Sequence, residues 1–164
     1  MQARLKHACL SAAFAGVLAA VFAGTVLAQA ADPQVGTWKL NLAKSKYSPP
    51  LAPKSGTVKI DAMAGGTKVV VDQAQADGSM RHYEYSPKYD GKDGPVTGNN
   101  PDADMVSRTR VDANTVQTIL KKGGKVTLTQ RSVVSSDGKT RTVTVTGMNA
   151  AGQTVNNVVV YDKQ

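Results

Sequence analysis

"TRTVTVT", residues Thr140–Thr146, alternates almost without a break. Arg141, Val143 and Val145 fall on one side, and Thr142, Thr144 and Thr146 on the other. A repeat of two is the side-chain period of a β-strand. Valine and threonine both branch at Cβ, which suits the pleated backbone. Alternation of apolar with polar residues marks an antiparallel strand with one covered face and one wet face.

The same period holds outward from that stretch. In "GTWKLNL", Trp38, Leu40 and Leu42 share a face against Thr37, Lys39 and Asn41. In "TVKIDA", Val58, Ile60 and Ala62 oppose Thr57, Lys59 and Asp61. No long segment carries a helical stripe. Turn signals punctuate the runs: Gly65-Gly66, Asp77-Gly78, Asp90-Gly91, Gly123-Gly124, Asp137-Gly138 and Ala151-Gly152. Such dipeptides supply the positive φ of tight hairpins. Strands are predicted near 35–42, 56–62, 67–75, 79–86, 88–90, 103–111, 114–121, 124–135, 139–148 and 153–162. Consecutive hairpins make an up-and-down meander, and a long meander removes its free edges by curling shut. The fold class is therefore all-β: one antiparallel meander closed into a barrel of about 8–10 strands.

Two loops interrupt the rhythm. "AKSKYSPPLAPKSG", Ala43 to Gly56, contains Pro49, Pro50 and Pro53 and is expected to cross the surface as an extended strap. "YDGKDGPVTGNNPDAD", Tyr89 to Asp104, gathers Asp90, Asp93, Asp102 and Asp104. Their spacing departs from an EF-hand loop, and Lys92 sits among them, so turn chemistry is the expected use and no metal site is assigned.

The beginning of the chain reads as an address. Arg4 and Lys6 precede an apolar or small stretch from Ala8 to Leu27, and Ala28-Gln29-Ala30 offers small residues to a signal peptidase. A membrane anchor would need about 20 strongly apolar residues. Residues 1–30 are read as a signal peptide cleaved near Ala30, residues 31–164 as the barrel domain, and the destination as secreted or periplasmic. The chain's one cysteine, Cys9, and both phenylalanines, Phe14 and Phe22, leave with that segment. A secreted domain of the remaining size can build one core without disulfides.

Composition excludes more chemistry than it suggests. The formal charge of the chain is +8, of which Arg4 and Lys6 belong to the signal segment. The rest favours anionic partners in general, but the lysines are scattered with no basic run among aromatics, so nucleic acid is not a partner. From Ala31 onward the one histidine is His82, which rules out a histidine cluster for zinc. His82 and Glu84 share a strand face, which allows an acid–base pair, but cross-strand polar contacts at the sheet surface are their expected use. No catalytic residue and no cofactor is assigned, and the protein is expected not to be an enzyme. Tyr83 and Tyr85 share the opposite face, as core or as the wall of a cavity.

"VGTWKL", Val35 to Leu40, resembles the first strand of the calycin group, the lipocalins and fatty-acid-binding proteins. In that group a Gly-x-Trp opens strand one and the indole plugs the closed end, which is the role the resemblance implies for Trp38. "VVVYDK", Val158 to Lys163, is similar to the final strand of fatty-acid-binding proteins, where an Arg-x-Tyr pair grips a carboxylate. Tyr161 falls at the tyrosine position and Val159 at the arginine position; the helical lid is replaced by the proline strap. A longer match, through "GTWKLNLAKSKY", "YDGKDGPVTGN", "VSSDGKT" and "VYDKQ", resembles small secreted bacterial proteins of lipocalin-like type.

These strands imply a candidate ligand-binding set of Trp38, Leu40, Tyr83, Tyr85, Arg141, Val159 and Tyr161. Arg141 near a strand start lies either at a solvated rim or over the cavity, where an anion would have to meet it. The function expected is a monomeric barrel binding a small apolar or anionic amphiphilic ligand. The alternative is a ligand-free structural or protein-interaction module of the cell envelope. A few convergent polar groups inside an apolar cavity separate the two.

Overall fold

The computed structural model describes residues 31–164. The segment read as a signal peptide lies outside the described residues. Ten strands follow one another: β1 Gly36–Lys46, β2 Ser55–Met63, β3 Gly66–Ala74, β4 Met80–Tyr85, β5 Gly94–Gly98, β6 Met105–Arg110, β7 Thr115–Lys122, β8 Lys125–Val134, β9 Thr140–Met148 and β10 Thr154–Lys163. Each pairs antiparallel with the next, and β1 also pairs with β10. The result is an all-β, ten-stranded antiparallel meander closed into a barrel with no free edge. Among the described residues no helix is long and apolar enough to cross a membrane.

Registers show which residues look inward. Leu40 faces Tyr161, Tyr161 faces Arg141, and Arg141 faces Val134 around one side. Trp38, Val58, Val71 and Tyr83 continue around the other. Partners directly opposite in a sheet share a face, so both rows point into the barrel. Trp38, Ile60, Val69, Val106, Val116 and Val134 are buried there. Fully burying a valine or isoleucine contributes roughly 1.5–3 kcal/mol, and this β-branched lining is the main apolar source of stability.

The barrel has two unlike ends. At the mouth lie the β1–β2 strap, now limited to 47–54, and the turns β3–β4, β5–β6, β7–β8 and β9–β10. At the closed end Trp38 is fully buried, and its indole N–H donates to the Gln34 carbonyl at 2.9 Å. The indole therefore fills the convergence of the strands, and Lys163 lies over its ring, 5.1 Å from the centroid.

Three local expectations are corrected. No strand forms at 88–90: Asp90 takes the Lys92 amide at 3.0 Å in a turn, and only isolated bridges involve Lys88 and Asp90. The strand appears instead at Gly94–Gly98, which glycine and proline disguise as loop. Leu42, placed on the inner face with Trp38 and Leu40, is 41% exposed. The β1–β10 register shifts between Asn41 and Lys46, and a register slip turns the following side chains.

Candidate ligand-binding site

A cavity of about 370 Å³ opens at the mouth. Tyr47, Pro49, Leu51 and Pro53 of the strap form one wall, so the proline segment borders the barrel mouth. Deeper in, Tyr83, Leu128, Val145, Val155, Val159 and Tyr161 supply an apolar floor. Gln73, Arg81, Gln130 and Asn157 project into the same space. The lining is therefore mixed, with polar side chains contributing as much of it as apolar ones.

The predicted site residues divide between the two ends. Tyr83, Val159 and Tyr161 line the cavity. Leu40 and Tyr85 pack against the buried core, with the Tyr85 ring stacked on Tyr83 at 6.4 Å between centroids. Trp38 and Arg141 are not among the lining residues. Arg141 is only 5% exposed, so it is neither a solvated rim residue nor a group at the mouth. Its guanidinium carbon lies 5.7 Å from the centre of the Tyr161 ring, which forms the cavity floor.

Residues missed in the sequence shape the closed end. Gln34 is fully buried; its amide oxygen accepts from Arg141 Nε at 3.1 Å and Ser132 Oγ at 3.0 Å, and its amide nitrogen donates to the Asn114 carbonyl at 2.9 Å. Arg108 is also buried, donating to the hydroxyls of Thr67 and, at 3.3 Å, Thr118. Tyr89 lies between Arg108 and Arg110, 5.1 and 4.3 Å from its ring centre. Asp32 accepts from the Tyr89 hydroxyl at 2.8 Å and pairs with Arg110. "MVSRTR" held a usable signal: Val106, Arg108 and Arg110 share one face by period two. Nothing local in the sequence marks Gln34, because its partners are about a hundred residues away.

The outer face accounts for the other titratable residues. His82 Nδ1 is 2.7 Å from Asp72, and Glu84 pairs with Lys68 at 2.9 Å, so each has a cross-strand partner. In the 89–104 segment Asp93 pairs with Lys121 at 2.8 Å, while Asp102 and Asp104 accept the amides of Ala150 and Gly123 at 3.0 and 2.9 Å. Asp102 and Asp104 thus fix two turns at the mouth, and Asp93 ties the 89–104 segment to β7.

Burial pushes the hydroxyls of Tyr47, Tyr83 and Tyr161 above the ordinary tyrosine value; for Tyr161 the Arg141 charge acts in the opposite sense. A raised folded value means that the native state holds protons the unfolded chain releases above about pH 10. Their stability contribution is complete below that pH and is lost as pH climbs toward the folded values. Alkaline titration should therefore show tyrosinate absorbance rising together with loss of the near-ultraviolet dichroism. Smooth ionisation of all tyrosines near the ordinary value, with the barrel intact, would contradict their burial.

No protein-family model and no curated relative matches the chain. Among solved structures, the zebrafish ileal bile acid-binding protein complexed with cholic acid is similar, with a TM-score of 0.46 and 12% identity, covering 80% of this chain and 99% of that one.

Proposed function

We propose that the barrel is a secreted or periplasmic carrier of a small apolar or amphiphilic molecule, held in the mouth cavity beneath the proline strap. The cavity itself carries the reading: about 370 Å³ of space is left by small valines and floored by Tyr83 and Tyr161. A volume of that order lies within the range of small-molecule pockets. Apolar surface from Leu128, Val145, Val155 and Val159 suits a hydrocarbon portion, and Gln73, Gln130 and Asn157 suit hydrogen-bonding groups. The reading is of a monomer that holds its ligand unchanged; His82, the one histidine of the barrel domain, meets Asp72 on the outer face, away from the cavity.

Address and cargo are tested together by native mass spectrometry of protein isolated from the host's extracytoplasmic fraction. The expected spectrum contains a chain beginning at Ala31 and a second series heavier by one small molecule, which is released on collisional activation. A chain retaining Met1 in the membrane fraction would contradict the address. A ligand-free chain that also fails to bind any amphiphile offered would replace the carrier with an interaction module.

A further inference from the structure

The inner face of the barrel changes character as it approaches the mouth. Alternation puts Val69 and Val71 on the inward side of β3, and the next inward positions are Gln73 and Gln75. On β8 Gln130 follows Leu128, and on β10 Asn157 stands between Val155 and Val159. With Asn149 and Gln153 beside the β9–β10 turn, six carboxamides line one cavity. The chain has 20 basic and 12 acidic residues, yet among the described ones only Arg81 and Asp102 line it. Their charges are opposite, and they act on the Tyr83 hydroxyl in opposite senses. The polar part of the cavity is thus rich in hydrogen-bonding groups and close to neutral.

These groups stand on more than one wall. β3 and β8 are five strands apart in either direction around the closed order, so Gln73 and Gln130 face each other across the barrel. Asn157, Val145 and Gln130 are register partners across β10, β9 and β8 and share one rung. Asn149 and Gln153 bond to each other at 3.0 Å and hold their own turn. The Asn157 side chain accepts the Ser48 amide of the strap at 2.8 Å, which orients it and leaves its N–H donors for the cavity. Gln73 receives one long contact, from Gln75 at 3.4 Å. No described residue hydrogen-bonds the Gln130 side-chain amide, which borders the cavity. Amides at inward positions cost stability unless something bonds them, and valine or leucine would serve a sealed core better.

We propose that the mouth cavity selects a neutral, multiply hydroxylated group, a polyol or glycoside, read by Gln73, Gln130 and Asn157. A carboxamide offers donor and acceptor together, and a hydroxyl answers both. An ionised group would lose its hydration among these amides while Arg81 and Asp102 offset each other. The group is either a free polyol or the head of an amphiphile whose tail meets Leu128, Val145 and Val159 on the apolar floor; the second form rests on the carrier reading above.

The test titrates octyl glucoside (below its micelle concentration), octanol, octanoate, octylammonium and glucose by calorimetry into the protein and its Gln73→Leu and Gln130→Leu variants. Octyl glucoside should bind at least about tenfold more tightly than the other three octyl compounds. Each variant should lose about 3- to 10-fold for the glucoside, the share of one neutral hydrogen bond, and hold octanol at least as well as the parent. Octyl glucoside bound tightly with glucose indifferent identifies the head of an amphiphile. Glucose bound as tightly as octyl glucoside supports a free-polyol site and removes the carrier reading. Equal binding of octyl glucoside and octanol overturns the hydroxyl preference and leaves the carrier reading standing, as does tighter binding of octanoate or octylammonium. Variants that keep the full preference also overturn the assignment. If a variant fails to fold, the ranking on the unmodified protein decides alone, and no binding of any compound overturns both readings.

Discussion

Replacing Trp38 with alanine is expected to destabilise the barrel by about 3–5 kcal/mol, the range for large aromatic truncations in cores. The indole is fully buried and contributes to a core otherwise made mainly of valines. Its removal opens a cavity that small branched neighbours cannot collapse to fill, and it strips the Gln34 carbonyl of its donor at 2.9 Å. Gln34 in turn positions Ser132 and Arg141, so the loss spreads through the closed end. Denaturant unfolding checks the magnitude. The native emission of Trp38 should be blue-shifted and move red on unfolding; a native maximum like that of indole in water would contradict the plug.

Gly147→Ala should have an effect of comparable size for a backbone reason. Gly147 has φ of +136°, and a Cβ there would stand 2.2 Å from the Thr127 carbonyl oxygen and 3.1 Å from Leu128 Cα. The register between β7 and β8 shifts beside Leu120, where Thr127 is the extra residue. A bulge against a glycine sharpens the bend that closes a barrel. Strained φ and overpacking together cost about 2–5 kcal/mol. Gly152→Ala serves as the control: φ is +78°, but nothing lies within 4 Å of the added methyl. It should show the conformational part alone, about 1 kcal/mol. Equal losses at both positions would mean that the Thr127 approach is not a constraint.

Strand alternation was legible because a period of two needs no distant information. "TRTVTVT" and "GTWKLNL" each announce a face, and the Gly-rich turns announce the reversals. Closure followed from meander length, and Trp38 at the sealed end followed from the Gly-x-Trp resemblance. What escaped was set by tertiary pairing. The short β5 strand exists because β4 and β6 offer it ladders, with Val96 opposite Tyr85 and Pro95 opposite Met105, despite its glycines and proline. Leu42 turned outward because β1 slips against β10.

The site was legible in part for the same reason. Alternation put Tyr83, Val159 and Tyr161 on the inner face, and they reach the cavity. It also put Arg141 inside, but not at which depth, because strand tilt carries neighbouring positions to different heights around a barrel. Gln34, Arg108 and Tyr89 meet only after the N-terminal segment folds under the strands. Their assembly depends on closure and leaves little local trace.

The carrier reading is tested most directly by nuclear magnetic resonance of the labelled barrel during titration with octyl glucoside. The account predicts saturable shifts concentrated on Tyr83, Leu128, Val145, Val159 and Tyr161, with contacts between the alkyl chain and the methyl groups of Val145 and Val159. The outer-face pair His82 and Asp72 should remain still. Shifts that never saturate, or that gather on the outer face while the cavity methyl groups stay unmoved, would contradict it.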